Sequence, residues 1–326
     1  MEEGYISLKV ALDDLNRKKA QLFFDVYELE EVLLGGIGKK TYLEPKSPRV
    51  CRFCKRTNNE VTFKNDAHVL PQFLGNRNLL SYFECDECNA LFGMYEQSFA
   101  NLFGGSITFA GIKGKSKKVP KFGDDKTGLK VSFCETRTQI TMPAGNDQVE
   151  VDLENKSIKV KAKRSYVPIH IPKTLIKIGL CMLQPEDVDD YDFARRFILD
   201  STMDSRFEGN RMLRVSGYFI PGPSKFPKPF AQLYKKKPNQ AKSFPSRQLI
   251  LGFANNYLQI MLPFAKSEQH VVGEEIMIPL CPLLIDNSYF ELFGKYQTLN
   301  LNLTSSKKKR GEITHSFSFG GYEKVL

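Results

Sequence analysis

The chain has 326 residues, and its 47 Lys and Arg residues exceed its 37 Asp and Glu residues, which gives a formal charge of +10. A hydrophobic content of 41% and a charged content of 26% are typical of a folded protein and exclude a disordered or fibrous one. No apolar run approaches the ~18 residues of a membrane span, and the acidic start Met1-Glu2-Glu3 does not resemble a secretory signal. The length predicts about two domains. The positive charge favours a polyanionic partner such as nucleic acid.

The N-terminal segment, residues 1–43, is predicted to be helical. Between residues 7 and 34 the apolar side chains mostly follow one another at helical spacing. Gly35-Gly36 would end this helix, although residues 6–10 alone also fit a strand. We expect the helix to pack on the body of the protein or to pair with a second subunit.

The chain contains seven cysteines, an odd number that argues against the disulfide framework of a secreted protein and favours a reducing, cytoplasmic setting. Each Cys-x-x-Cys pair points two thiolates at one ion, and two pairs complete a closed tetrahedral site for a structural Zn²⁺. The two pairs are Cys51 with Cys54 and Cys85 with Cys88. The other three, which we predict to be buried thiols, are Cys134, Cys181 and Cys281.

The 30 residues between the two pairs leave room for a strand, a loop and a second strand. Residues 60–63 and 67–70 are predicted to form one strand region that ends at Pro71, and residues 79–83 a second strand. A helix is predicted from Asp86 to residue 102, with Asp86 and Glu87 near its positive N-terminal end.

A set of short motifs accompanies the cysteines. His68 lies in Asp66-Ala67-His68-Val69-Leu70-Pro71, Asn78 precedes Leu79-Leu80, and Asn89 follows Cys88. This arrangement of His-x-x-Pro, Asn-Leu and Cys-x-x-Cys-Asn resembles the HNH, or ββα-metal, endonucleases, and in particular their four-cysteine zinc-binding branch. The resemblance covers about residues 50–104.

The resemblance implies a metal-dependent endonuclease. His68 would be the general base that takes a proton from the attacking water, as an imidazole can near pH 7. Asn89 would hold a catalytic Mg²⁺ or Mn²⁺, which stabilises charge on the phosphate, and Asn78 would brace the loop that orients His68. The other histidines, which we expect to be structural or solvated, are His170, His270 and His315.

One position departs from the family pattern. An acidic residue or a histidine that binds the metal usually stands directly before the catalytic histidine, whereas this chain has Ala67. Asp66 would lie on the same face of a strand as His68 and could replace the missing ligand. Glu96, two helical turns after Asn89, is the other candidate. If neither carboxylate reaches the metal, the module would be an inactive nucleic-acid-binding element, and the C-terminal domain would carry the function.

The C-terminal region is predicted to be rich in short strands. Residues 104–127, which are rich in Gly and Lys, form a boundary. The predicted strands cover residues 131–134, 139–142, 148–153, 157–161, 213–220, 247–253, 257–262 and 275–280, with turns at 145–146, 154–155 and 255–256. Helices are predicted at 172–183 and 187–202. The fold class is therefore α+β, with an HNH nuclease domain at 44–127 and a β-dominated domain of unknown fold at 128–326.

Three groups of basic residues offer contacts to phosphates. The first follows the nuclease motifs directly and is therefore the best candidate for a nucleic-acid surface; it consists of Lys113, Lys115, Lys117, Lys118 and Lys121. The second comprises Lys225, Lys228, Lys235, Lys236, Lys237 and Lys242, and the third is residues 307–310. We expect DNA as substrate, with RNA as an alternative. Fusion of HNH modules to other domains suggests a restriction or anti-phage defence effector, with an activating ligand or partner protein and a homodimeric assembly as further expectations.

Overall fold

The computed structural model describes residues 12–114, 117–134, 137–154, 156–271 and 275–318. The helices of these residues are α1 (Asp14–Val26), α2 (Asp86–Phe109), α3 (His170–Met182), α4 (Asp192–Leu199) and α5 (Asn287–Phe293). The strands are β1 (Tyr27–Leu34), β2 (Thr41–Tyr42), β3 (Ala67–His68), β4 (Leu79–Ser81), β5 (Phe122–Asp124), β6 (Leu129–Cys134), β7 (Arg137–Thr141), β8 (Val149–Asp152), β9 (Ser157–Tyr166), β10 (Val215–Phe219), β11 (Phe226–Lys236), β12 (Arg247–Ala254), β13 (Asn256–Met261), β14 (Gln297–Leu301) and β15 (Lys309–Ser318).

The N-terminal segment is half helix and half strand. Helix α1 is capped by Asp13, which accepts a hydrogen bond from the Asn16 amide at 2.7 Å, and it ends where β1 begins. The helix predicted through residue 34 is therefore wrong beyond residue 26. Residues 27–34 become a strand because they pair antiparallel with β11, which buries Tyr27 and Leu33. Residues 1–11, including the strand considered at 6–10, lie outside the described residues.

The cysteine-containing segment has the predicted order of strand, loop, strand and helix. Strands β2, β4 and β3 form a small sheet in that order, and α2 follows β4. Residues 60–63, predicted as strand, lie in a turn and an irregular segment instead. Helix α2 continues to Phe109 rather than ending at residue 102, because Gly105 serves packing and not termination. A Cβ at Gly105 would lie 2.3 Å from the ring of His315.

A six-stranded antiparallel sheet dominates the C-terminal region, in the order β1-β11-β12-β13-β10-β14. The strands predicted at 213–220, 247–253 and 257–262 correspond to β10, β12 and β13, and the predicted turn lies between β12 and β13. Residues 275–280, predicted as a strand, form none. Strand β11 was not predicted, because its lysines were interpreted as a basic surface.

Two three-stranded sheets complete the region, in the orders β5-β6-β7 and β15-β9-β8. The four strands predicted between residues 131 and 161 correspond to β6, β7, β8 and β9. The turn at 144–148 confirms the one predicted at 145–146, and Asn155 of the next predicted turn lies outside the described residues. Helix α3 confirms the prediction at 172–183, whereas the helix predicted at 187–202 is α4 flanked by two 3-10 helices.

One apolar core joins the cysteine-containing segment to α3, α4 and the large sheet. The rings of Phe99 and Phe103 on α2 meet Phe253 of β12 edge to face, with centroids 5.7 and 5.6 Å apart. The α+β fold class is confirmed, and the domain boundary at residue 127 stays a prediction. None of the helices in the described ranges combines the length and the apolar character needed to cross a membrane.

Candidate functional site

The four paired cysteines converge on one point. Cys85 is the N-cap residue of α2 and Cys88 lies in its first turn, while Cys51 and Cys54 lie in the preceding turn of the chain. All four Sγ atoms lie within 4.8 Å of one another, and the Cys51–Cys88 and Cys54–Cys85 pairs are 3.7 Å apart. A tetrahedron of Zn–S bonds of ~2.3 Å has edges of roughly 3.8 Å. The predicted cysteine cluster is confirmed, and its geometry fits a structural Zn²⁺.

The environment of the cluster lowers the thiol pKa of Cys51 and raises those of Cys85 and Cys88. The hydrogen bond with the Cys88 thiol lowers the pKa of Cys51 to about 5, whereas burial raises the pKa of Cys85 to about 11. Arg56 donates from Nε to the Sγ of Cys54 at 3.4 Å. Because the thiolate is the form that binds a metal, zinc binding would release the remaining thiol protons.

The first cysteine turn is fixed to the helices of the C-terminal region. Nη1 of Arg52 donates to three carbonyl oxygens at the end of α3, at 2.8 to 3.0 Å. The last carbonyls of a helix have no partner within the helix, and a cation there meets the negative end of its dipole. Arg195 on α4 also donates to the carbonyl of Phe53. The zinc site and the C-terminal helices therefore form one structural unit.

His68 ends β3, opposite Leu80 of β4, and its side chain is partly exposed. The side-chain amide of Gln72 forms a short hydrogen bond with Nε2 of the ring. The carbonyl oxygen of His68 accepts a hydrogen bond from Nζ of Lys177 at 2.6 Å. Both the ring and the backbone of His68 are thus held by neighbours, and neither Gln72 nor Lys177 was singled out from the sequence.

Lys177 connects α3 to the predicted catalytic strand. Its Nζ lies 3.0 Å from a carboxylate oxygen of Glu84, and both side chains are 1% exposed. Burial is the largest single influence and would by itself lower the pKa of Lys177, but the charges of Glu84 and of other neighbouring groups together outweigh it and raise that pKa above its usual value. The ammonium group therefore stays charged; it forms an ion pair with Glu84 and donates a hydrogen bond to the His68 carbonyl.

The loop between His68 and β4 is braced by Asn76. The buried amide of Asn76 donates to the carbonyls of Leu70 and Leu79 at 2.7 and 3.0 Å, and its Oδ1 accepts from the Leu79 amide at 3.0 Å. Oδ1 of Asn78 is buried and has no hydrogen-bond partner among the described residues. The bracing role of Asn78 stays a prediction, whereas Asn76, which the run Leu74-Gly75-Asn76 could have indicated, forms the bonds that hold this loop.

The two candidate acids lie in different environments. Asp66 is exposed, forms an ion pair with Lys40 and accepts a hydrogen bond from Tyr42 at 3.3 Å; the hydrogen bond with Lys40 lowers its pKa. Glu96 is half-buried on α2, and burial raises its pKa to about 7, with Lys177 opposing and Glu84 adding to the shift. Glu96 thus faces the buried Lys177–Glu84 pair.

Asn89 is partly buried in the first turn of α2, directly after the last cysteine. Amide and carboxylate oxygens suit a hard divalent ion, so Asn89 and Asp66 are chemically suited to Mg²⁺ or Mn²⁺. Within the described ranges, however, the four cysteines are the only group of three or more His, Cys, Asp or Glu ligand atoms close enough to hold a metal. The acids do not form a preassembled cation site.

The remaining histidines and cysteines lie outside the cysteine cluster and, apart from Cys134, are buried or partly buried where they are described. Nδ1 of His170 lies 3.0 Å from the hydroxyl of Ser98, and His315 is buried; burial lowers the pKa of both to about 4. The side chain of His270 lies outside the described residues. Cys181 and Cys281 are buried as predicted, whereas the prediction is wrong for Cys134, which ends β6 and is exposed.

The first basic group lies beside the nuclease motifs. Its described lysines, all exposed, are Lys113, Lys117, Lys118 and Lys121, and Lys115 lies outside the described residues. Nη2 of Arg77 donates to the carbonyls of Lys113 and Gly114 at 3.2 and 2.8 Å. This contact fixes the lysine loop to the loop that follows His68.

The second basic group is partly structural. Nζ of Lys236 and of Lys237 donates to the carbonyls of Phe244 and Phe24 at 2.8 and 2.6 Å. The third group lies exposed at the start of β15 and just before it. The first group therefore remains the best positioned of the three for contact with a substrate.

Residues 51–109 match the family model described as HNH endonuclease. The match covers the four cysteines together with His68 and Asn89, so the resemblance inferred from the sequence is confirmed for this segment. The segment is an HNH endonuclease domain, and a larger β-rich region follows it. No curated protein and no solved structure matches the chain significantly.

Proposed function

We propose that the chain is a metal-dependent endonuclease that hydrolyses phosphodiester bonds of DNA, with His68 as its general base. The observation that carries this proposal is the position of His68. It lies within the matched segment with a partly exposed ring, next to the side chain of Gln72 and with its carbonyl held by Lys177. An imidazole that its neighbours hold in place is suited to take a proton from water.

Asn89 and Asp66 are the proposed oxygen donors to a catalytic divalent ion. When bound, Mg²⁺ or Mn²⁺ would stabilise the negative charge that develops on the phosphate. Asp66 would give up its ion pair with Lys40 when it binds the metal ion. Such an exchange costs little, because the pair is 55% and 44% exposed and exposed ion pairs contribute only ~0–1 kcal/mol. Glu96 is the second candidate ligand.

The substrate is proposed to be double-stranded DNA, with RNA as the alternative. The exposed lysines at 113–121 would neutralise backbone phosphates that lie next to the phosphate at which the strand is cut. The larger C-terminal region would recognise a signal, an activating ligand or partner protein, or a second copy of the chain. This arrangement suits a restriction or anti-phage defence effector.

A nicking assay tests the nuclease. Supercoiled plasmid is incubated with the zinc-loaded protein and Mg²⁺ or Mn²⁺, and the protein is compared with His68→Ala and with the control His170→Gln. We expect His68→Ala to abolish nicking and His170→Gln to retain it. Equal nicking by the wild type and His68→Ala would refute the role of His68, and labelled RNA in the same assay separates the two substrates.

A second function is favoured by Ala67 and by the pairing of Asp66 with Lys40. With no acid at the usual position and its replacement already bound to a cation, the zinc module could bind nucleic acid without cutting it. Binding of the oligonucleotide without any cleavage, in either metal, would support this alternative. If the wild type does cleave, Asp66→Asn and Glu96→Gln serve as a pair, since loss of cleavage in only one of them identifies the ligand.

A further inference from the structure

A polar cavity of about 190 Å³ lies next to the proposed catalytic residues. Asp66, two residues before His68, and Glu84, the partner of Lys177, both line it. Its volume is below the ~300–1,000 Å³ of sites for drug-sized ligands. The cavity therefore suits one unit of a larger ligand better than an enclosed small molecule.

Three cations, Lys46, Arg49 and Lys64, also line the cavity. The two acids of the lining already have cationic partners, since Asp66 pairs with Lys40 and Glu84 with Lys177. Among the described residues, no carboxylate lies within ion-pair distance of these three cations. They are thus not held in direct ion pairs, which leaves them able to bind an anionic group.

Arg49 is held in place before any ligand binds. Its Nη1 donates to the carbonyl of Phe63 at 2.7 Å, and its guanidinium lies 5.6 and 5.2 Å from the ring centroids of Phe63 and Tyr82. Tyr82 in turn stacks on Tyr42, with centroids 3.8 Å apart and planes 3° from parallel. The remaining N–H groups of the guanidinium are fixed in a fork that matches a phosphate, so little side-chain freedom is lost on binding.

We propose that this cavity is a backbone-phosphate subsite for the nucleic-acid substrate, in which Arg49 binds the phosphate and Lys46 and Lys64 add charge. The inference rests on the proposed nuclease function and adds a substrate contact to it. The residues that line the subsite come both before and after β3 in the chain. The subsite supplies sequence-independent affinity and places the nucleic-acid strand beside His68.

Binding without cleavage tests the subsite. Each variant is made in the His68→Ala protein, and the dissociation constant for a fluorescent DNA duplex is measured by anisotropy at several salt concentrations. The variants are Arg49→Gln and Lys64→Gln, with Arg49→Lys to retain the charge and Lys18→Gln as a control at an exposed lysine outside the three basic groups. Far-UV circular dichroism and zinc content confirm that each variant is folded.

Loss of one phosphate contact reduces the salt slope by ~0.9, which corresponds to about eightfold weaker binding at 0.1 M salt. We expect this change for Arg49→Gln and Lys64→Gln, and an unchanged slope for Arg49→Lys and Lys18→Gln. Wild-type slope and affinity in both glutamine variants would overturn the subsite and leave the nuclease proposal intact. If the His68→Ala protein binds no nucleic acid, both proposals fall.

Discussion

Replacement of Lys177 by Met is expected to destabilise the protein strongly. The substitution preserves the volume of the side chain but removes the ammonium group 3.0 Å from Glu84 and 2.6 Å from the His68 carbonyl. Removal of one partner of a buried ion pair typically costs about 3–5 kcal/mol, because the other charge remains buried without compensation. We expect a loss of that size in the free energy of unfolding, measured by urea denaturation of the zinc-loaded protein with circular dichroism.

The effect should depend on pH. Burial raises the pKa of Glu84, and without Lys177 nothing opposes that increase as strongly. A carboxyl group whose pKa is higher in the folded state stabilises the fold while it is protonated, and this contribution is lost as the pH rises through the folded pKa. Lys177→Met should therefore be closer to wild-type stability at pH 5 than at pH 8.

Two further variants make the test specific. The double variant Lys177→Met/Glu84→Gln should recover most of the lost stability, since neither buried charge of the pair remains. Its cleavage should be reduced, because the His68 carbonyl still lacks the Lys177 donor. The control Lys55→Met removes a lysine 3.4 Å from Asp189 in a pair that is 45% and 81% exposed, and it should change stability by less than ~1 kcal/mol. A loss in Lys177→Met no greater than in Lys55→Met would refute the argument.

Two other predictions concern the zinc site and the loop after His68. Cys51→Ser should lose its one equivalent of bound zinc together with thermal stability, whereas Cys134→Ser, at an exposed cysteine, should lose neither. Elemental analysis and thermal melts measure both properties. A wild-type protein that is equally stable without zinc would contradict the prediction. Asn76→Ala should cost about 2–4 kcal/mol, because it leaves buried backbone groups unpaired, and Asn78→Ala much less. Urea unfolding measures both, and equal costs would argue against the assignment of the brace to Asn76.

The nuclease segment was predictable because its chemistry lies in short, local patterns. Two Cys-x-x-Cys pairs predict a four-thiolate cluster whatever the rest of the chain does, and the structure brings all four Sγ atoms together. The positions of His68 at the end of a strand and of Asn89 at the start of a helix were also predictable, because the motifs that flank them are local. Helix α3 and strands β12 and β13 were found for the same reason, since their apolar patterns are continuous.

The errors arose where long-range contacts decide the structure. Residues 27–34 have apolar spacing that a helix also satisfies, and only their pairing with β11 makes them a strand. The lysines in and directly after β11 resembled a solvated surface, although Lys236 and Lys237 donate to backbone carbonyls. Lys177 could not be linked to His68 from the sequence, because 109 residues separate the two groups that form the hydrogen bond.

The three bonds from Arg52 to the end of α3 have a consequence for how this protein can change over evolution. Arg52 stands between the first two zinc ligands and yet completes a helix more than 120 residues further along the chain. The segment of residues 51–109 consequently depends on its contacts with the C-terminal region. A recombination event that replaced residues 51–109 with another HNH sequence would leave α3 without its terminal donor and β12 without its aromatic neighbours. We therefore expect the two regions to be inherited and to diversify together.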